Sequence, residues 1–224
     1  MSYRDFTIGK LKSQFNIQLI EQAEPIVPKT PITPSAYIEE TLKRNFRIAQ
    51  TVSTEKIRSE LIIAPILMEL VVLMNHQIGL FSGNDFTVDP KVGLNGWVDF
   101  LISLSPEQLE IEAPVAVIVE AKKEELNVGI PQCIATMIAA DQFNKARENA
   151  ISPVYGAVTT GAFWRFLALE GNTVTIDFND CYISPVENIL GTLASMVSRE
   201  PAGLSAWDAF DSLPFCLAQW INLA

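Results

Sequence analysis

The chain has 224 residues, 49% of them hydrophobic, with 16 Lys/Arg against 26 Asp/Glu and a net charge of −10. That length allows one large domain or two small ones with ample core, and the acidic balance argues against a bulk nucleic-acid coat. The charge is uneven: residues 1–50 hold seven Lys/Arg and five Asp/Glu, net +2, and residues 51–224 hold nine and twenty-one, net −12.

Phe15-Asn16-Ile17-Gln18-Leu19-Ile20 alternates like a short strand. Pro25, Pro28, Pro31 and Pro34 then predict an extended linker. Ser35 can cap a helix over about 36–49 that carries Lys43, Arg44 and Arg47. Residues 1–50 are expected to form an arm of strand, linker and helix laid on a single domain of residues 51–224. A second helix is expected over about 54–75, capped by Thr54, with Pro65 kinking or splitting it. Its apolar arc of Ile62, Ile63, Ile66, Leu67, Leu70 and Leu73 can cover a sheet. Glu55 and Glu60 lie about 140° apart on that helix.

Three strands follow, over about 84–89, 95–104 and 114–121, then a helix over about 127–148. Strands over about 153–159, 162–169 and 172–178 come next, and helices over about 185–199 and 205–222 close the chain. The expected fold is α/β, a mixed central sheet flanked by helices. Trp164-Arg165-Phe166 is most simply a core strand, with base stacking as the alternative. Trp207, Phe210, Phe215 and Trp220 form an apolar C-terminal set, suited to core packing or to a homodimer face.

Two apolar runs end in charge. Gly96-Trp97-Val98-Asp99-Phe100-Leu101-Ile102 holds an aspartate where strands disfavour one, and Val115-Ala116-Val117-Ile118-Val119-Glu120-Ala121-Lys122 ends in an acid and a lysine two residues apart. Residues at that spacing on a strand share a face. Asp99, Glu120 and the Ala121 carbonyl are candidate ligands for Mg²⁺ or Mn²⁺, which prefer hard oxygen donors. Lys122 can then orient a water or stabilise developing negative charge. The blander alternatives are a surface Asp99, a Glu120–Lys122 pair on a solvated strand end, and a structural Gln132.

The Asp99, Glu120-Ala121-Lys122 pattern resembles the PD-(D/E)XK, or restriction-endonuclease-like, superfamily, although Val98 stands where a proline is usual. Residues 54–67 look like the entry helix of the N-terminal nuclease domains of type I restriction subunits. Gln132 falls where that family often has a glutamine, and Thr136 replaces its tyrosine. Over roughly residues 50–200 the chain also resembles a group of uncharacterised cyanobacterial proteins. The resemblance implies an αβββαβ core with extra strands and C-terminal helices, and a Mg²⁺- or Mn²⁺-dependent nuclease acting on DNA or RNA. Asp99, Glu120, Lys122, Glu60 and Gln132 are then the site residues, with Asp99, Glu120, the Ala121 carbonyl and Glu60 at the metal. Glu60 is preferred over Glu55 because it resembles the entry-helix acid of archaeal Holliday-junction resolvases; Glu55 is left to serve the helix N-terminus. The alternative function is a non-catalytic scaffold or assembly protein that keeps the fold.

His76 is the single histidine, which excludes multi-histidine zinc sites and leaves little room for a Ser-His-Asp mechanism. Cys133, Cys181 and Cys216 suit reduced thiols of a cytoplasmic protein. The sequence shows no signal-peptide h-region and no membrane span. The −12 balance of residues 51–224 predicts weak nucleic-acid binding unless a dimer or other partner supplies positive charge.

Overall fold

Alternating apolar runs build eight strands into one mixed sheet, and the computed structural model describes residues 1–198 of the chain. The strands are β1 (Gln18–Gln22), β2 (Gly79–Asp85), β3 (Trp97–Ser103), β4 (Val115–Ala121), β5 (Val154–Thr159), β6 (Phe163–Glu170), β7 (Thr173–Asp177) and β8 (Cys181–Tyr182). Their order is β1-β7-β6-β5-β4-β3-β2, with β8 paired to β6. The β1–β7 and β4–β5 pairs are parallel; the others are antiparallel.

Helices cover both faces. They are α1 (Ile8–Phe15), α2 (Ala36–Val52), α3 (Glu55–Arg58), α4 (Ala64–Leu73), α5 (Leu126–Ala146) and α6 (Val186–Val197). Strand β4 is buried along its whole length, as a central strand covered on both sides must be. Val117, Val119 and Ala121 join the apolar cluster under α2, α4 and α6, while Ile118 joins the one under α5. The period-2 pleat therefore decides which layer each β4 side chain enters.

The sequence-based boundaries differ from the structure in three main places. The alternation starting at Phe15 belongs to a helix as far as Phe15; Asn16 ends it at φ 54°, and β1 starts at Gln18. That strand is the edge strand of the sheet through its parallel pairing with β7, so residues 1–50 contribute a strand to the sheet as well as an arm. The first strand after the long helix lies at Gly79–Asp85, earlier than 84–89. Gly79, Ser82, Gly83 and Asn84 suggest a turn by propensity, and pairing with β3 overrides it.

The helix expected over 54–75 is broken by a π-helical turn, Ser59–Ile63, between α3 and α4. Pro65 sits at the start of α4 and has no N–H to give the Leu61 carbonyl four residues back. Asn45 Nδ2 of α2 donates to that carbonyl instead, at 2.9 Å. His76 is exposed; its N–H bonds the Val71 carbonyl in the left-handed turn that ends α4. The helix expected over 205–222, with Trp207, Phe210, Phe215, Trp220 and Cys216, lies outside the described residues.

The proline-rich segment packs against α6. Ile32 N donates to the Glu187 carbonyl at 3.1 Å and Ser195 Oγ to the Pro28 carbonyl at 3.1 Å. A Cβ at Gly191 would lie 1.8 Å from the Thr30 carbonyl oxygen. Gly191→Ala must push the linker off the helix, and overpacking of this kind costs roughly 1–3 kcal/mol. The expected result is a urea midpoint clearly below wild type with an unchanged m-value; an unaltered midpoint would show that the linker is not held there.

Candidate functional site

The β3–β4 register pairs Phe100 with Val119, and one step further sets Asp99 opposite Glu120. Two carboxylates thus face each other across adjacent strands, a juxtaposition that is destabilising when both are ionised. Glu120 is 1% exposed. Burial first, and then the neighbouring Asp99 charge, push its pKa up to about 8 against the partly opposing effect of Lys122. A hydrogen bond between the two carboxyl groups favours the protonated Glu120 further. At neutral pH the pair therefore holds a proton.

Lys122 follows directly after β4, with its N–H bonded to the Thr159 carbonyl of β5 at 2.8 Å. Its Nζ donates to Glu120 Oε1 at 2.5 Å and to Gln132 Oε1 of α5 at 3.4 Å. Gln132 is 7% exposed, and Thr136 bonds back to the Gln132 carbonyl. Asp99 Oδ2 accepts the Ala121 N–H at 2.8 Å. Asp99, Glu120, Lys122 and Gln132 are thereby brought together at the carboxyl end of β4, next to its parallel neighbour. Crevices at the carboxyl ends of strands are where open α/β sheets bind ligands.

Gly129 explains how α5 comes so close. A Cβ there would lie 2.6 Å from Val158 Cγ1 and 2.9 Å from Lys122 Cγ. The absent side chain leaves room for the Lys122 stem to run along the helix toward Gln132. Arg58 holds the other side of the loop, donating from its guanidinium to the Lys123 carbonyl and to Ser53 Oγ.

Glu60 is not part of this cluster. Its carboxylate pairs with Lys56 Nζ at 2.9 Å, and its side chain is 54% exposed. Glu55 instead lines a cavity of about 280 Å³ together with Lys122, Gln132, Val128, Arg4 and Phe6. The preference for Glu60 rested on the entry-helix resemblance; in the structure Glu60 lies in the π-helical turn Ser59–Ile63, where the uniform 100° spacing does not hold. Glu55 does stand in the first turn of α3, as expected, but it also faces the cavity.

Arg4 carried no signal as a lone basic residue near the start of the sequence. It reaches the cavity because Tyr3 is buried and donates its hydroxyl to the Phe86 carbonyl at 2.5 Å. Lys43, Arg44 and Arg47 do not line this cavity. Trp164 and Phe166 are buried in the core, which removes them as stacking platforms. Cys133 is fully buried and its thiol pKa is raised by that burial, so it offers no nucleophile.

The donor set suits a hard divalent cation. Asp99 and Glu120 offer carboxylate oxygens, and a divalent ion would favour the doubly ionised pair that burial alone disfavours. Among the described residues no group of three or more His, Cys, Asp or Glu gathers around one point. No helix of the described residues is long and apolar enough to cross a membrane. Compared with models of known protein families and with curated proteins, the chain matches none.

Proposed function

We propose that the protein is a Mg²⁺- or Mn²⁺-dependent phosphodiesterase acting on nucleic acid, with a restriction-endonuclease-like core. The carrying observation is the Asp99–Glu120 carboxyl pair with Lys122 against it at the end of a buried strand. The order helix, three antiparallel strands, helix, parallel strand supports the core assignment. Asp99 and Glu120 would hold the ion, with the Ala121 carbonyl as a further oxygen donor. The ion would polarise the scissile phosphate and acidify a bound water. Lys122 sits 15% exposed between Glu120 and the cavity, placed to hold a phosphoryl oxygen or to orient the attacking water. Gln132 keeps the Lys122 ammonium aimed at the cleft by accepting one of its protons.

A non-catalytic scaffold is the second reading. It is favoured by a polar cluster that is satisfied internally: Ala121 N–H on Asp99, and Lys122 on both Glu120 and Gln132. Isothermal titration with Mn²⁺ separates the two. Because Glu120 holds a proton below its pKa of about 8, Mn²⁺ binding at pH 7 should release close to one proton. Affinity should rise between pH 6 and 8 and then level off. The release is read from heats in buffers of different ionisation enthalpy, and Asp99→Ala should abolish the binding. Absence of Mn²⁺ binding by the wild-type protein at pH 8 would favour the scaffold.

A further inference from the structure

We propose that Arg4 binds a second phosphate of the substrate, adjoining the one at the carboxyl pair, so that the site accepts a polynucleotide strand in preference to an isolated phosphate ester. The inference rests on the phosphodiesterase reading and adds to it the residue that holds the neighbouring phosphate of the strand. The cations around the loop after β4 are otherwise committed. Lys122 is paired with Glu120, and Arg58 with the Lys123 carbonyl and Ser53. Arg165 is held by Asp180 at 2.7 and 2.9 Å and by Asn127 at 2.6 Å. Arg4 lines the same cavity as Lys122, and among the described residues its guanidinium makes no ion pair or hydrogen bond.

The backbone that carries Arg4 is fixed in place. Tyr3 N donates to the Asn95 carbonyl at 3.1 Å, Asn95 Nδ2 to the Met1 carbonyl at 2.9 Å, and the Tyr3 hydroxyl to the Phe86 carbonyl. A short 3₁₀ turn, Tyr3–Asp5, is closed by the Ser2 N–H on Asp5 Oδ2 at 2.7 Å. An exposed, unpaired guanidinium on a docked backbone, lining the same cavity as a lysine, is suited to bidentate phosphate recognition. It also answers part of the charge problem of the acidic body, because Arg4 adds an unpaired cation to a cavity whose other charged lining residues are Glu55 and Lys122, the latter paired with Glu120.

The test compares wild type with Arg4→Ala, Arg4→Lys and Lys43→Ala. Lys43→Ala removes the same charge from a residue that does not line the cavity. Binding of a fluorescein-labelled single-stranded 12-mer is followed by anisotropy in Ca²⁺, and cleavage in Mg²⁺ or Mn²⁺. Arg4→Ala should weaken binding about fivefold or more, raise KM more than it lowers kcat, and reduce the salt slope by about 0.7. Arg4→Lys should recover part of the affinity, and Lys43→Ala should change it less than twofold. Equal affinities for wild type and Arg4→Ala, or equal losses in Arg4→Ala and Lys43→Ala, overturn the proposal. Arg4-dependent binding without cleavage would sustain the phosphate role and overturn the phosphodiesterase reading. Wild-type protein that binds no oligonucleotide overturns both.

Discussion

Lys122→Ala is expected to lower divalent-dependent cleavage by about 10²–10³-fold, the usual cost of deleting one charge-stabilising donor in a preorganised site. The loss should occur with the fold intact. Lys122 is the group that lowers the Glu120 pKa. Without it the buried carboxyl keeps its proton at pH 7, so no uncompensated charge is left in the interior. Linear, nicked, branched and single-stranded substrates, each in Mg²⁺ and in Mn²⁺, would be compared at matched circular dichroism. Cleavage that persists in Lys122→Ala would trace to another protein in the preparation.

Glu120→Gln is expected to stabilise the protein at alkaline pH while destroying its affinity for Mn²⁺. A carboxyl raised from 4.5 to about 8 has its favourable contribution fully present below pH 4.5 and loses it as pH rises through about 8. Taken alone, that shift is worth roughly 5 kcal/mol. The amide cannot ionise, can accept from Lys122 and can donate to Asp99, so it escapes the loss apart from the Coulombic pairing with Lys122. A gain of about 2 kcal/mol or more is expected at pH 8.5 and almost none at pH 4. Urea denaturation at the two pH values gives both numbers. A variant less stable than wild type at pH 8.5 would mean that the ionised carboxylate supports the fold.

The charged ends of β3 and β4 were legible because the surrounding sequence is so apolar. Asp99 and Glu120 interrupt runs of Val, Ile, Leu and Phe, where an acid without a partner would be costly. The period-2 spacing of Glu120 and Lys122 brought the two into contact, although of the pair only Lys122 lines the cavity. The choice between Glu55 and Glu60 was not legible in the same way. It depends on a π-helical turn, whose backbone pattern has no residue signature comparable to a proline or a glycine. The β2 boundary was obscured by Gly83 and Asn84, whose turn preference yields to pairing with Ser82–Asp85's partners on β3. Arg4 depends on long-range docking through Tyr3, Phe86 and Asn95, contacts that local periodicity does not encode.

The edge pairing of β1 with β7 has a temporal side. Gln18 is matched to Thr173, so β1 must wait for about 155 further residues to be synthesised before its partner exists. By contrast, β3 and β4 are joined by a short connection, and α5 follows at once. Loop-closure entropy favours the local contacts first. The carboxyl pair, the lysine and the helix against them thus belong to the part of the chain that can assemble early, and the edge is sealed last. Until it is, β7 carries an unpaired row of amides and carbonyls, the surface on which one nascent chain can capture another.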